Sequence, residues 1–269
     1  MEDLDRVAPG ADQRQLSDLA AIGLNWDGPV EYQTRRGELY QDAVATLTGR
    51  GLTYECFCTR REIREAASAP HPDPAFPERL TADGSYPGTC RNLTATEIAE
   101  RRETGRPSAL RLRSQVTRWT IQDQLLGSFT GAVDDVVLRR NDGVAAYNLA
   151  VVVDDAAQRI DQIVRGDDLL TSTPRQAYLG SLLGLPTAGY AHVPLALNTS
   201  GQRLAKRDGA VTLDELKARG RTAAQVCGIL AASVGLAESA ESVEPVELLG
   251  RFDARQLPRE PWIVEPSLL

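Results

Sequence analysis

The chain has 269 residues, 42% hydrophobic and 25% charged, which is the balance of a globular protein with one large domain or two intimate ones. Its formal net charge of −7 argues against a generally basic nucleic-acid binder, while leaving room for RNA held by a local arginine patch. No apolar run approaches the roughly 18 residues of a membrane span and no basic, apolar leader opens the chain, so a cytoplasmic protein without a membrane partner is expected.

In chain order, Met1-Glu2-Asp3-Leu4-Asp5 reads as the end of a strand entering an acidic turn. Leu16, Leu19, Ala20 and Ile22 recur at helical spacing and predict a helix over 11–25. A second helix over 34–50 follows the Gly28-Pro29 loop, with Leu39, Ala43, Val44 and Leu47 on one face. Residues 52–58 form a short strand, and 66–88, rich in Ala, Pro, Asp and Gly, read as a long loop. A helix over 95–104 precedes β-like runs at 109–112, 117–122, 127–132 and 136–140, closed by the turn signal Asn141-Asp142-Gly143. The apolar run at 145–155 ends in Asp154-Asp155, and 160–184 reads as strand, turn and helix. The last strong helix spans Ala223–Val234. This is an α/β plan, interrupted by a β-rich insert that carries cysteines and then resumed.

Cys56-Phe57-Cys58 places two thiols one residue apart, and Cys90 lies 32 residues beyond Cys58 after a Pro-Gly turn. Clustered thiolates in a reducing compartment point to a structural zinc site before a disulfide. The fourth ligand is open between His71 and Tyr86, and Cys227 on an apolar helix reads as core. Lys206 stands out differently. Only Lys206 and Lys217 are lysines among 30 Lys+Arg residues. A compact ammonium in Arg203-Leu204-Ala205-Lys206-Arg207 suits a nucleotide phosphate, although a surface loop that happens to hold a lysine would look the same.

Together, Tyr147-Asn148-Leu149-Ala150-Val151-Val152-Val153-Asp154-Asp155, Ile163-Val164-Arg165-Gly166-Asp167-Asp168-Leu169, His192-Val193-Pro194-Leu195 and the Lys206 loop resemble class I aminoacyl-tRNA synthetases of the glutamyl group, over residues 1–215. Within that group the chain is similar to the glutamyl-queuosine tRNA(Asp) synthetase family, because the 63 residues after Lys206 cannot supply an anticodon-binding domain and Cys-x-Cys…Tyr-x-x-x-Cys matches that family's zinc site.

The resemblance implies a Rossmann-type parallel sheet with an inserted zinc-bearing β-rich subdomain. It divides the chain into 1–50 (first Rossmann half), 51–145 (insert), 146–215 (second half with the ATP-signature loop) and 216–269 (a short helical end). It implies zinc on Cys56, Cys58, Tyr86 and Cys90, with His71 still open. ATP, with Mg2+, is expected at Arg203, Leu204, Ala205, Lys206 and Arg207, Lys206 being catalytic. Glutamate is expected at Glu2, Tyr147 and Arg165, and the implied reaction is tRNA-independent glutamyl-adenylate formation followed by transfer to queuosine of tRNA(Asp), by a monomer.

Two of these roles have plainer readings: Arg165 as a salt bridge to Asp167 or Asp168, and Tyr147 as core. Arg35, Arg36, Arg139 and Arg140 are candidate tRNA contacts, although paired arginines are more often a solvated face. Against the family pattern, the loop has Arg203 for its first lysine and Ala205 for its usual serine. The family's first strand, first ATP motif and first helix precede Met1, which suggests an internal start with about forty residues upstream. The competing expectations are a truncated synthetase charging tRNA(Glu) and a tRNA-binding paralogue without adenylate chemistry.

Overall fold

A computed structural model describes residues 9–68, 86–204, 212–238 and 241–265. The described residues fall into two compact units, one comprising Glu31–Val164 and Leu169–Ala191, the other comprising residues up to Val30, Arg165–Asp168 and His192 onward.

The first unit carries α2 (Gly37–Gly49), α3 (Arg60–Ser68), α4 (Ala95–Glu103), α5 (Tyr147–Ala157) and α6 (Thr173–Leu183), after α1 (Ala11–Ala21) of the second unit. Its strands are β1 (Thr53–Cys56), β2 (Ala109–Leu112), β3 (Arg118–Asp123), β4 (Gly127–Ala132) and β5 (Val137–Arg139), with β6 (Gln162–Gly166) and β7 (Gly189–Val193) beginning in it. One antiparallel sheet has the order β1-β2-β5 and pairs Tyr54 with Arg111 and Cys56 with Ala109. A second has the order β4-β3-β7-β6. It is mixed: β3 runs parallel to β7, through Asp123 and Tyr190, and antiparallel to β4. The α/β class is as the sequence implies, but β3 and β4, from the stretch expected to form the insert, share this sheet with β6 and β7.

Most helix boundaries follow from local chemistry. Thr94 and Glu97 close a capping box on α4, each satisfying an otherwise unpaired backbone N–H. Pro174 sits in the first turn of α6, and Gly184 ends that helix at φ 68°, a left-handed conformation that costs glycine nothing. The expected 66–88 loop is partly wrong, because α3 runs to Ser68. Thr59 and Glu62 cap it reciprocally at 2.6 and 3.2 Å, and Arg60–Ala67 is rich in good helix formers.

The core of the first unit joins Leu47 of α2, Leu112, Leu138, Leu149 of α5 and Leu179 of α6, all fully buried. Asp154 of α5 is buried against this core. Its carboxylate accepts from Gln33 Nε2 at 2.9 Å, Arg36 Nε at 2.7 Å and the Tyr40 hydroxyl at 2.8 Å. Three donors thus tie the segment leading into α2, and α2 itself, to α5. Burial and the adjacent carboxylate push the Tyr40 phenol well above its usual range, so it stays a donor.

In the second unit, β8 (Ala196–Leu197) pairs in parallel with β9 (Trp262–Ile263). Capping boxes at Thr212/Glu215 and Thr222/Gln225 open α7 (Leu213–Ala218) and α8 (Ala223–Ser233), and α9 (Pro245–Leu248) follows. Cys227 packs with Ala231 and Val243, in keeping with its reading as core.

Asp154→Ala is expected to lower the unfolding free energy by about 2–4 kcal/mol, because it leaves the half-buried Arg36 and the buried Tyr40 hydroxyl unanswered. Urea denaturation checks this, with the midpoint falling and the slope unchanged.

Candidate functional site

Three sulfurs meet at the end of β1. The Sγ atoms of Cys56, Cys58 and Cys90 all lie within 4.8 Å of one another, with Cys58 and Cys90 at 3.5 Å. The chain gathers them by two local devices. Strand β1 delivers Cys56, and the Gly88 turn (φ 83°) brings Cys90 back. Sulfurs sharing a tetrahedral zinc lie about 3.8 Å apart for ordinary Zn–S bonds, so this spacing fits. The Tyr86 hydroxyl occupies the remaining side, 3.3 Å from Cys56 Sγ and 3.7 Å from Cys58 Sγ, and accepts the Cys90 N–H at 2.7 Å. His71, the other candidate fourth ligand, lies outside the described residues.

Proton affinities within the cluster are split. Hydrogen bonds from Cys58 and then Cys90 hold the Cys56 thiol far below its usual range, whereas Cys56 pushes Cys58 up. Burial, reinforced by Cys56, raises the Tyr86 phenol. A cation binding here meets the Cys56 thiolate ready-made and must displace a proton from Cys58.

Behind the ligand atoms lies a polar frame absent from the sequence reading. Asp135 accepts from the Tyr54 hydroxyl at 2.7 Å and Ser114 N–H at 2.9 Å, and pairs with Arg91, the residue after Cys90. Asp134 accepts from Tyr86 N–H at 3.1 Å and pairs with Arg175 at 3.2 Å. Neither acid belongs to a motif, and their partners come from four separate stretches of chain.

The second unit holds the other group of expected residues. Arg165 Nε donates to His192 Nε2 at 3.2 Å, and His192 is itself fully buried. Asp168 pairs with Arg203 at 2.6 Å. A Cβ at Gly166 would stand 2.7 Å from both Asp168 Oδ1 and Leu195 Cδ2, so a larger residue would have to displace those side chains. Arg203 reaches Asp168 from a hairpin-like turn. Asn198 Oδ1 accepts from Ser200 N–H at 3.0 Å and Gln202 N–H at 2.8 Å, while Gly201 adopts φ 72°. Asn198-Thr199-Ser200-Gly201 was a turn signal in plain view. Leu204 is the last described residue of this stretch; Ala205, Lys206 and Arg207, like Glu2, lie outside.

In the first unit, Tyr147 is the first residue of α5 and is 45% exposed rather than core. It lines a cavity of about 700 Å³ together with Gln33 and Tyr40, two of the side chains that hold Asp154. Arg36, one of the candidate tRNA contacts, is committed to Asp154 and Glu31, whereas Arg35 stacks over Tyr32 at 5.2 Å and Arg140 pairs with Asp142 at 2.5 Å.

Residues 2–265 match the family model of class I tRNA synthetases (E and Q), catalytic domain. Curated proteins named glutamyl-Q tRNA(Asp) synthetase are similar over nearly the whole chain. The one from Nocardia farcinica is 61% identical over 98% of this chain and 81% of its own length. Those from Symbiobacterium thermophilum and Cutibacterium acnes are 42% and 45% identical, over 97% and 96% of this chain and 83% and 75% of their own lengths. Two solved structures share the fold at 21% identity: a glutamate tRNA ligase from Elizabethkingia meningosepticum with its amino acid (TM-score 0.75) and a glutamate-tRNA synthetase from Elizabethkingia anophelis (TM-score 0.77). Each is covered over 99% of this chain, which spans 59% and 60% of their lengths. The chain belongs to the class I synthetase family of the glutamyl and glutaminyl type, among the ligases of its glutamyl-Q tRNA(Asp) synthetase branch.

Proposed function

We propose that the chain activates glutamate with ATP, without tRNA, and transfers the glutamyl group to queuosine in the anticodon of tRNA(Asp). The observation that carries this reading is the Arg165–Asp168 turn linked to Arg203, in a chain that matches glutamyl-Q synthetases almost end to end. The glutamate carboxylate attacks the α-phosphorus of ATP, pyrophosphate leaves, and the adenylate then gives up its glutamyl group to queuosine with release of AMP.

Positioning and charge carry such a reaction. Arg165, oriented by His192, pairs with the side-chain carboxylate of glutamate. Glu2 holds the substrate ammonium, and the Tyr147 hydroxyl donates within the amino-acid pocket. Lys206 neutralises the charge that builds as pyrophosphate departs, assisted by Arg203 and Arg207 at either end of its loop, and Leu204 and Ala205 complete the ATP-signature segment. The Asp168–Arg203 pair ties the start of that loop to the turn beside Arg165. Mg2+ accompanies the ATP phosphates.

Zinc on Cys56, Cys58, Cys90 and Tyr86 is structural in this reading, stapling the stretch expected as an insert at 51–145 between the two catalytic stretches 1–50 and 146–215, with 216–269 as the helical end. The protein acts as a monomer in the cytoplasm.

Glutamate-dependent ATP–pyrophosphate exchange tests the reading, on protein expressed from its natural locus. Exchange without tRNA, followed by labelling of queuosine-bearing tRNA(Asp), is expected. Exchange only after tRNA(Glu) is added would identify an ordinary glutamyl-tRNA synthetase, and tRNA binding without exchange a paralogue that has lost the chemistry.

Three variants sharpen this. Arg165→Lys keeps charge but loses the planar fork, and lowers kcat/KM for glutamate by about 100-fold in the exchange assay. Lys206→Ala lowers kcat by about 100- to 1,000-fold with little change in KM for glutamate, since its charge acts as pyrophosphate leaves. The purified protein carries one zinc per chain by elemental analysis; Cys58→Ser loses it and melts earlier, and a strong chelator reproduces that shift in the unsubstituted protein.

A further inference from the structure

Among the described residues, Arg111 forms no salt bridge. It sits on β2 opposite Tyr54 and is only 7% exposed. A guanidinium stays protonated even when buried, so its charge must be answered by a neighbour. The acid whose backbone it touches is already committed. Asp135 spends its carboxylate on Tyr54, Ser114 and Arg91, and offers Arg111 only its backbone carbonyl, at 2.8 Å from NH1. Nε of Arg111 has no hydrogen-bond partner among the described residues. The guanidinium lies instead over the Tyr86 ring, its central carbon 3.7 Å from the centroid. On the far side of that ring's hydroxyl are the sulfurs of Cys56 and Cys58, at 3.3 and 3.7 Å.

A divalent cation with three thiolates carries a net charge of about −1, and with a tyrosinate as fourth ligand about −2. In a buried site that excess needs a cation nearby. We infer that Arg111 is the charge-compensating residue of the metal centre, acting through the face of Tyr86, and that it sets how tightly the site holds zinc. Asp135 is then a positioning residue, its carbonyl steering the guanidinium onto the ring while its carboxylate serves other groups. The inference rests on the zinc reading above and adds a residue that touches no ligand sulfur.

Competition for zinc against a chromophoric chelator tests it, with cobalt(II) absorption as a second readout of the ligand set. Arg111→Met keeps bulk and loses charge; it is expected to weaken zinc retention by about 10- to 100-fold and to change the cobalt spectrum. Arg111→Gln, which keeps a donor for the Asp135 carbonyl, is expected to show the same loss and serves if the Met variant does not fold. Arg111→Lys keeps the charge and is expected to recover most of the affinity. Zinc held equally by the parent and the neutral variants overturns the inference, and so does equal loss in Lys and Met, which would make the role one of shape. A parent protein that binds no zinc removes the zinc reading itself, and is distinguished by the first measurement on unsubstituted protein.

Discussion

Every buried charge in the first unit has to be answered within the fold, and much of the site's geometry follows from how that is done. Asp154 of α5 and Asp135, in the connection between β4 and β5, are buried carboxylates. Left alone, each would cost several kcal/mol and the unit would not close around it. Asp154 is answered by Gln33, Arg36 and Tyr40, which aligns α2 with α5. Asp135 is answered by Tyr54, Ser114 and Arg91, which fixes the end of the three-stranded sheet. Neither interaction is a large net source of stability. Each restricts its helix or strand to one placement, because any other leaves an ion exposed to apolar surroundings.

That restriction reaches the cavity and the cysteine cluster of the unit. The donors around Asp154 are also walls of the cavity that Tyr147 lines. The acceptors on Asp134 and Asp135 hold both ends of the Tyr86–Arg91 segment, which carries a sulfur and a phenol to the cysteine cluster. Packing and polar partners therefore cooperate: the apolar cores bring helices together without choosing a rotation, and the buried acids choose it.

A different economy governs the second unit, where the Arg165–Asp168 turn is built on exclusion of side-chain volume at Gly166 and on one ion pair. Arg203 is 71% exposed on its side chain, so its pair with Asp168 contributes little to stability. Its value is positional, since it joins Arg203, at the end of the Asn198–Gln202 turn, to Asp168.

The sequence by itself determined the element order, the capped helix starts, the cysteine cluster and the family motifs, because each is written within a few residues: a periodicity, a Thr-x-x-Glu, a Cys-x-Cys. It missed α3 where an alanine-rich loop signal overlapped a good helix sequence, and it assigned β3 and β4 to the insert where they join the sheet of β6 and β7, since sheet membership depends on which distant strand is met. Only the tertiary structure decided that Arg165 engages His192 while Asp168 takes Arg203, that Asp154 is a buried hub, and that Arg111 lies on Tyr86. Those pairs join residues from 25 to 121 positions apart. Local pattern carries no record of such partners; they are chosen when buried charge and close packing must be satisfied at once.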